Sequence, residues 1–202
     1  MDTYASYTEL AVHERKGKDY LVLSREKDSK FAIMAPHGGG IEPGTASVVD
    51  AIAGDEYAFY AFKGIKRNGN RVLHISSSRF DEPQGVDTSK HALAVIAVHG
   101  CRDKRSVVFI GGKNKPLIAN MIAALKKAGF EVENSQRSGL RGINPKNICN
   151  RCLGGEGVQL ELSRGLRERM FDHLDHRSPR VKTDLFDRFI TAVRDVLNTA
   201  LR

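Results

Sequence analysis

Side chains able to bind a metal ion follow two apolar runs of this sequence. His37 and Glu42 lie in the segment MAPHGGGIEPGT, and His99 lies in VIAVHGCRD. Imidazole nitrogen and carboxylate oxygen are ligands of catalytic zinc, and a set of two histidines and one glutamate leaves a coordination position open. With an open position, zinc can turn water into a nucleophile near neutral pH. We therefore expect His37, Glu42 and His99 to hold one zinc ion, and we expect the chemistry to be hydrolysis.

A second glutamate, Glu161, lies in the segment GVQLELSRGLR and also follows apolar residues. A carboxylate close to the cation would be placed to act as a general base. Each of these residues also has an ordinary structural alternative. A histidine after an apolar run can be a core residue whose ring is hydrogen-bonded, and Glu161 can form an ion pair with Arg164 or Arg167.

The elements that must position these residues are predicted from apolar periodicity. Strands are expected at Phe31–Ala35, where Pro36 ends the run, and at Ala92–Val98 and Val158–Leu162. Helices alternate with these strands, which indicates an α/β fold, with three α/β/α layers around a mixed, mainly parallel sheet. In such sheets, sites form beyond the carboxyl ends of strands.

Other segments complete the predicted domain, which spans residues 1–202. Val72–Ser76 has the composition of a further strand, and the polar stretch Asn134–Gly157 is long enough to be functional rather than a simple connection. Thr183 is expected to cap a long C-terminal helix with an apolar stripe at helical spacing. We assign that stripe to the core.

The overall charge indicates the kind of partner. Lys and Arg number 32 against 24 Asp and Glu, a net charge of +8, so the surface should attract polyanions. No apolar stretch reaches the roughly 20 residues of a membrane span, and no signal peptide is visible. We expect a cytoplasmic protein, or one released without a signal, with no membrane partner and a monomeric state. Nucleic acid is not an expected partner, because the sequence carries no known binding signature for it.

Several motifs offer weaker interpretations. Cys149 and Cys152 form a single C-x-x-C without further metal ligands nearby, so free thiols are expected. The HGGG segment is similar to an esterase oxyanion loop, but the sequence has no G-x-S-x-G nucleophile motif. His173 and His176 are expected on a solvated helical face.

The segments MAPHGGGIEPGT, SSRFDEP, AVHG, NICNR and GVQLELSRGLR together resemble the phage-type poly-γ-glutamate hydrolase family. That family includes Bacillus proteins labelled phage-related replication proteins and is similar to zinc carboxypeptidases in fold and site. The resemblance implies that His37, Glu42 and His99 bind zinc and that Glu161 is the general base. The spacing differs from the carboxypeptidase pattern, since four residues rather than two separate His37 from Glu42.

Poly-γ-glutamate carries one free carboxylate on every unit, so a binding site needs fixed cations. The planar guanidinium of arginine suits this task because it can donate two hydrogen bonds to one carboxylate. Asn150, Arg151 and Arg164 are our candidate substrate-binding residues. Two alternative functions stay open: a zinc amidase or deacylase acting on peptidoglycan peptides or acylated amino acids, and a basic nucleic-acid-binding accessory protein.

Overall fold

A central seven-stranded sheet organises the structure, a computed structural model that describes residues 2–135, 139–176 and 180–200. The strands are β1 (Tyr20–Arg25), β2 (Phe31–Gly39), β3 (Ala58–Gly64), β4 (Ala94–Gly100), β5 (Val107–Gly112), β6 (Glu131–Asn134) and β7 (Val158–Leu162). Their spatial order is β1-β3-β2-β4-β7-β5-β6. The pairs β1–β3 and β5–β7 are antiparallel and the other neighbouring pairs are parallel. The predicted mixed, mainly parallel sheet is confirmed.

Helices cover both faces of this sheet. They are α1 (Tyr7–His13), α2 (Thr45–Ala53), α3 (Pro83–His91), α4 (Lys115–Lys127), α5 (Arg164–Met170) and α6 (Asp184–Ala200). A two-stranded ribbon, β8 (Phe171–Asp172) and β9 (Val181–Lys182), lies between α5 and α6 in the chain. Buried residues of α2, α4, α5 and α6 share one core cluster, whereas Leu10 of α1 belongs to a second cluster on the opposite face. The three-layer α/β/α architecture follows from these two cores.

The strand sequences explain why the sheet needs two covering layers. In β2, Ile33 and Ala35 belong to the core under α2, while Ala32 and Met34 belong to the opposite core. Successive residues of a strand point to opposite faces, so a strand that is apolar at every position must be covered on both sides. The apolar stripe of α6 is likewise buried in the first core, as predicted. Within the described residues, no helix has the length and apolarity needed to cross a membrane.

Strand β2 continues past Pro36, although the sequence predicted that this proline would end it. The register against β3 shifts between Ala35 and Gly38, so β2 contains one extra residue there. A bulge tolerates proline because the residue at that point need not donate to the ladder. The strand therefore carries His37 within its last residues instead of leaving it in a loop.

The predicted strand Val72–Ser76 is wrong. The chain forms a 3-10 turn at Asn70–Leu73, and the segment after it is irregular. The side chain of Asn70 closes the preceding loop, since its Oδ1 accepts from Lys66 N and its Nδ2 donates to Lys66 O. Within the turn, Val72 N donates to Gly69 O and His74 N donates to Arg71 O, so these backbone groups bond locally instead of forming the strand ladder that the apolar composition favoured.

Three neighbouring parallel strands bring the candidate residues together. β2, β4 and β7 are adjacent in the sheet and run in the same direction. His37, His99 and Glu161 each lie within the last residues of one of these strands. His99 and Glu161 are also paired in register, which places their side chains on the same face of the sheet. The topology therefore creates one crevice at the carboxyl edge.

Candidate metal centre and active site

His37, Glu42 and His99 form a buried cluster whose donor atoms all lie within 4.8 Å of one another. The Nδ1 atoms of the two histidines are 3.0 Å apart. Glu42 Oε1 lies 3.4 Å from His37 Nδ1, and Glu42 Oε2 lies 3.8 Å from His99 Nδ1. Ligand atoms bound tetrahedrally to zinc at about 2.0–2.1 Å are separated by about 3.3 Å. The three donor groups therefore match the size of a zinc site.

Hydrogen bonds on the outer side of the rings prepare them for a cation. His37 Nε2 donates to the carbonyl of Ile75 at 2.7 Å, so a neutral ring keeps its lone pair on Nδ1, towards the cluster. His99 Nε2 lies 3.3 Å from Ser77 Oγ. The carboxylate of Glu42 accepts from Gly100 N at 2.8 Å. Such outer partners fix the tautomer and orientation of metal-binding histidines, so the donor set fits a zinc ion chemically as well as geometrically.

Charge within the cluster is unevenly distributed between the two rings. Burial lowers the pKa of His37, but the carboxylate of Glu42 outweighs burial and leaves this pKa above its ordinary value. Burial and the charge of His37 lower the pKa of His99 to about 3. Burial alone would raise the pKa of Glu42, yet His37, His99 and Gly100 N bring it to about 2. A carboxylate anion thus persists in the protein interior, where positive charge must balance it.

Glu161 differs from Glu42 although both carboxyl groups are buried. Burial and the negative charge of Glu42 raise the pKa of Glu161 well above its ordinary value. Gln159 Nε2 donates to Glu161 Oε1 at 2.8 Å, and Gln159 Oε1 in turn accepts from Asn147 Nδ2 at 2.8 Å. This chain of bonds fixes the orientation of the Glu161 carboxyl group. Two carboxyl groups with pKa values pushed apart are typical of a site that moves protons.

The segment from His74 to Ser77 lies against both histidines and was not predicted to contribute. The rings of His74 and His37 stack with centroids 4.0 Å apart. His74 Nδ1 donates to Asp2 Oδ1 at 2.7 Å, and His74 Nε2 lies 3.8 Å from Glu42 Oε1. Burial and the charge of His37 lower the pKa of His74 to about 4. The histidine itself was visible in the sequence, but the strand prediction separated it from the site.

Arg167 joins the three chain segments that carry the candidate residues. Its buried guanidinium donates to Pro43 O at 2.8 Å, to Cys101 O at 2.9 Å and to Leu162 O at 3.1 Å. These carbonyls directly follow Glu42, lie two residues after His99, and directly follow Glu161. The guanidinium of Arg167 therefore links the three chain segments that carry Glu42, His99 and Glu161. Its sequence signal was only its position six residues after Glu161.

The crevice is a cavity of about 480 Å³, and the candidate residues form part of its wall. His37, Glu42, His99 and Glu161 line it together with the exposed arginines Arg71, Arg102 and Arg141. Among the residues that the structure describes, no carboxylate pairs with these three arginines. Other arginines are paired: Arg105 contacts Asp103 and Glu133, and Arg194 contacts Glu56. The unpaired guanidinium groups make the opening of the cavity cationic.

The three predicted substrate-binding residues are not in the cavity wall. The buried amide of Asn150 donates to Gly142 O and Asn144 O and accepts from Gly157 N, so it braces the loop beside the cavity. Arg151 donates to the carbonyl of Phe80. Arg164 forms ion pairs with Glu168 and Asp175 at 2.6 Å each. Their contact with a substrate stays a prediction.

The remaining polar motifs have contacts of their own. Cys149 and Cys152 are buried free thiols in the second core, and residues 136–138 of the long polar loop lie outside the described ranges. His173 and His176 stack on each other with ring centroids 4.8 Å apart, in a turn after β8 rather than on a helix. Across the described chain, the His37 cluster is the one group with the donors for a metal ion.

Solved structures share this architecture over 90% or more of this chain. A bacteriophage poly-gamma-glutamate hydrolase superimposes with a TM-score of 0.94 and 28% identity, covering 100% of this chain and 99% of that protein. A zinc-free apo form of YndL gives a TM-score of 0.93 and 32% identity, with both chains fully covered. N-formylglutamate amidohydrolase from Ralstonia eutropha JMP134, at 9% identity and a TM-score of 0.53, shares the fold over 90% of this chain and 96% of its own.

Sequence comparison gives the same grouping. UPF0714 protein YmaC of Bacillus subtilis (strain 168) is 35% identical over 198 residues, which is 97% of this chain and 84% of YmaC. The family profile described as poly-gamma-glutamate hydrolase matches residues 4–192. The structure brings a cluster that could hold a metal ion and a second buried carboxyl group into one crevice, and the profile covers nearly all of the elements that build it. The chain belongs to the poly-gamma-glutamate hydrolase family and is an enzyme of the amidohydrolase and peptidase class.

Proposed function

We propose that this enzyme is a zinc-dependent hydrolase that cleaves the γ-glutamyl amide bonds of poly-γ-glutamate. The observation that carries the proposal is the convergence of His37, Glu42, His99 and Glu161 in one cavity with a cationic opening. A zinc ion held by the two Nδ1 atoms and the Glu42 carboxylate would polarise a scissile carbonyl and make water nucleophilic near neutral pH. The protein side chains then orient the reactants and move the protons.

Glu161 is the proposed general base. Its buried carboxyl group lines the same cavity as His37, Glu42 and His99, so its carboxylate form is placed to take the proton of an attacking water. The same carboxyl group can return that proton to the leaving amine nitrogen. Gln159 Nε2 donates to Oε1 of Glu161, and among the described residues no donor reaches Oε2 of Glu161. This second oxygen is therefore available to accept the proton of the attacking water. The low pKa of Glu42 keeps it anionic and available as a ligand.

The cationic opening supports a polyanionic substrate. Arg71, Arg102 and Arg141 present guanidinium groups along the same cavity, and a γ-linked glutamate chain carries a carboxylate on each unit. Arginine binds carboxylates through charge-assisted, often bidentate hydrogen bonds. We therefore propose these three arginines as substrate-binding residues, together with the earlier candidates Asn150, Arg151 and Arg164.

The first experiment measures metal and activity on the same preparations. We expect about one zinc per chain by elemental analysis, and a fall in the length of poly-γ-glutamate on size-resolved gels. His37→Ala and His99→Ala should lose both zinc and activity, because each removes one of three ligands. His91→Ala is the matched control, since His91 is exposed, lies outside the candidate cavity and bonds to Asp87 within α3. Full activity in either ligand variant would contradict the assignment.

A parallel digest separates the proposed substrate from its alternatives. γ-Polyglutamate, α-polyglutamate and peptidoglycan peptides would be incubated with the zinc-loaded enzyme, and released amines would be measured. We expect cleavage of the γ-linked polymer at the highest kcat/KM. Preferred cleavage of peptidoglycan peptides would favour the amidase alternative. Salt-sensitive DNA binding without hydrolysis of any amide would favour the nucleic-acid alternative.

The arginine assignment has its own test. Arg71→Gln, Arg102→Gln and Arg141→Gln should each raise KM for the polymer about 5- to 30-fold, equivalent to roughly 1–2 kcal/mol, and should change kcat little. Arg188→Gln is the control, because Arg188 is exposed on α6 and its replacement by glutamine changes the net charge by the same amount. An equal increase in KM for the control would show that only net charge matters. The same assay on Arg151→Gln and Arg164→Gln tests the earlier candidates.

A further inference from the structure

We infer that Asp2 is a positioning residue of the metal site, acting through the segment from His74 to Ser77. The inference rests on the proposed metal site, and it concerns a residue far from the ligands in sequence. Asp2 is largely buried, with 8% of its side chain exposed. Asp2 belongs to no helix or strand of the described chain, so its contacts are not part of regular secondary structure.

The carboxylate of Asp2 holds the first half of this irregular segment. It accepts from His74 Nδ1 at 2.7 Å, from Ser76 N at 2.8 Å and from Ser76 Oγ at 2.5 Å. Arg79 Nη2 donates to the same carboxylate. A segment without a strand ladder or helix needs other partners for its backbone polar groups, and side chains are one source of them. Asp2 supplies several of these bonds from one residue.

The groups that Asp2 holds are those that contact His37. The ring of His74 stacks on the ring of His37, and the carbonyl of Ile75, between two residues bound by Asp2, accepts from His37 Nε2. That acceptor fixes the His37 tautomer with its Nδ1 lone pair towards the metal site. A shift of Ile75 by a fraction of an ångström would weaken this bond. Asp2 therefore sets the orientation of the first metal ligand without touching it.

The second half of the segment has an independent anchor. The carbonyl of Ser77 accepts from Ile148 N at 2.9 Å, and Ser77 Oγ faces His99 Nε2. Loss of the Asp2 carboxylate should therefore disturb His37 more than His99. This asymmetry distinguishes a specific positioning role from a general loss of folded structure.

The experiment compares Asp2→Ala, Asp2→Asn and a control, Asp19→Ala. Asp19 also accepts a backbone hydrogen bond in the N-terminal region, from Arg15 N, but it does not contact residues 74–77. Zinc affinity would be measured by competition with a chromophoric chelator. We expect a 10- to 100-fold loss in Asp2→Ala, a smaller loss in Asp2→Asn, which keeps one acceptor oxygen, and no change in the control.

A second measurement does not need the metal. Ring nitrogen chemical shifts of ¹⁵N-labelled, metal-free protein, recorded at a pH high enough to deprotonate His37, report the tautomer of each neutral histidine. We expect Asp2→Ala to redistribute the tautomers of His37 and to leave His99 nearly unchanged. Wild-type shifts at His37 in Asp2→Ala, with unchanged zinc affinity, would overturn the inference. If wild-type protein binds no zinc, the proposed function fails, and the shifts alone still decide whether Asp2 orients His37.

Discussion

Replacement of Glu161 by glutamine tests the proposed base with little structural disturbance. The two side chains have the same shape, and the amide oxygen of glutamine can still accept from Gln159 Nε2. The orientation of Gln159 is set by Asn147, which donates to Gln159 Oε1. The hydrogen bond at position 161 therefore stays in place while the ability to accept a proton is lost. We expect Glu161→Gln to fold normally and to keep its zinc.

The expected loss of activity follows from the role assigned to Glu161. General acid–base catalysis contributes about 100- to 10,000-fold, which corresponds to roughly 2.7–5.5 kcal/mol of transition-state stabilisation. The variant also removes a titratable carboxyl group whose pKa is raised by burial and by Glu42. Relief of that repulsion should leave the thermal stability of the metal-free protein unchanged or increased. A loss in kcat with stable, zinc-loaded protein is thus the expected pattern.

The assay follows release of amino groups from poly-γ-glutamate, with zinc content and thermal unfolding measured on the same samples. Glu156→Gln is the control, because Glu156 is an exposed glutamate just before β7. Its activity should equal that of wild type. If Glu161→Gln retained kcat within tenfold of wild type at equal zinc content, another group would be the base and the proton-transfer argument would be refuted.

Three further predictions concern stability. Arg167→Met should lower the melting temperature by about 6–12 °C, from a loss of roughly 3 kcal/mol, because three buried carbonyls lose their donor; an unchanged value in calorimetry would contradict it. Burial and the charge of Glu82 raise the pKa of Tyr60, so its contribution to stability is present below pH about 10 and is lost as pH rises above it. Denaturant titrations should therefore show that Tyr60→Phe reduces the alkaline loss by about 1.4 kcal/mol per pH unit; the same slope in both proteins would exclude this role. Chelation of zinc should lower the wild-type melting temperature reversibly, whereas His37→Ala should show no zinc-dependent shift in the same scan.

The sequence predicted that the candidate residues would meet in one place because their types and positions reflect a simple physical rule. Polar residues at the ends of apolar strands meet at one edge of a parallel sheet, and His37, His99 and Glu161 follow that rule. The sheet order could not be predicted in the same way. Strand β5 lies between β7 and β6, antiparallel to β7 and parallel to β6, and no pattern within the sequence of β5 specifies this arrangement.

The supporting residues were missed for a different reason. The pattern around His74 has the composition of a strand, but Asn70 closes a turn on Lys66 and directs the following segment towards the site. Asp2 reaches the same segment from 72 residues away. Propensity and spacing describe neighbours along the chain, whereas these contacts exist only after the sheet has formed. The cavity arginines were missed likewise, since an unpaired guanidinium is recognisable only in three dimensions.

The loop between His37 and Glu42 shows how an unusual spacing still brings the two candidate ligands together. Gly39 has φ +68°, and a Cβ at this position would lie 2.3 Å from the carbonyl of Gly64, so the backbone can turn here only with glycine. Glu42 N donates to His37 O at 3.0 Å, which closes the loop on itself. Gly100 N then binds the Glu42 carboxylate from the neighbouring strand. These contacts at the turn, at the base of the loop and at the carboxylate hold Glu42 beside His37 although four residues separate the two.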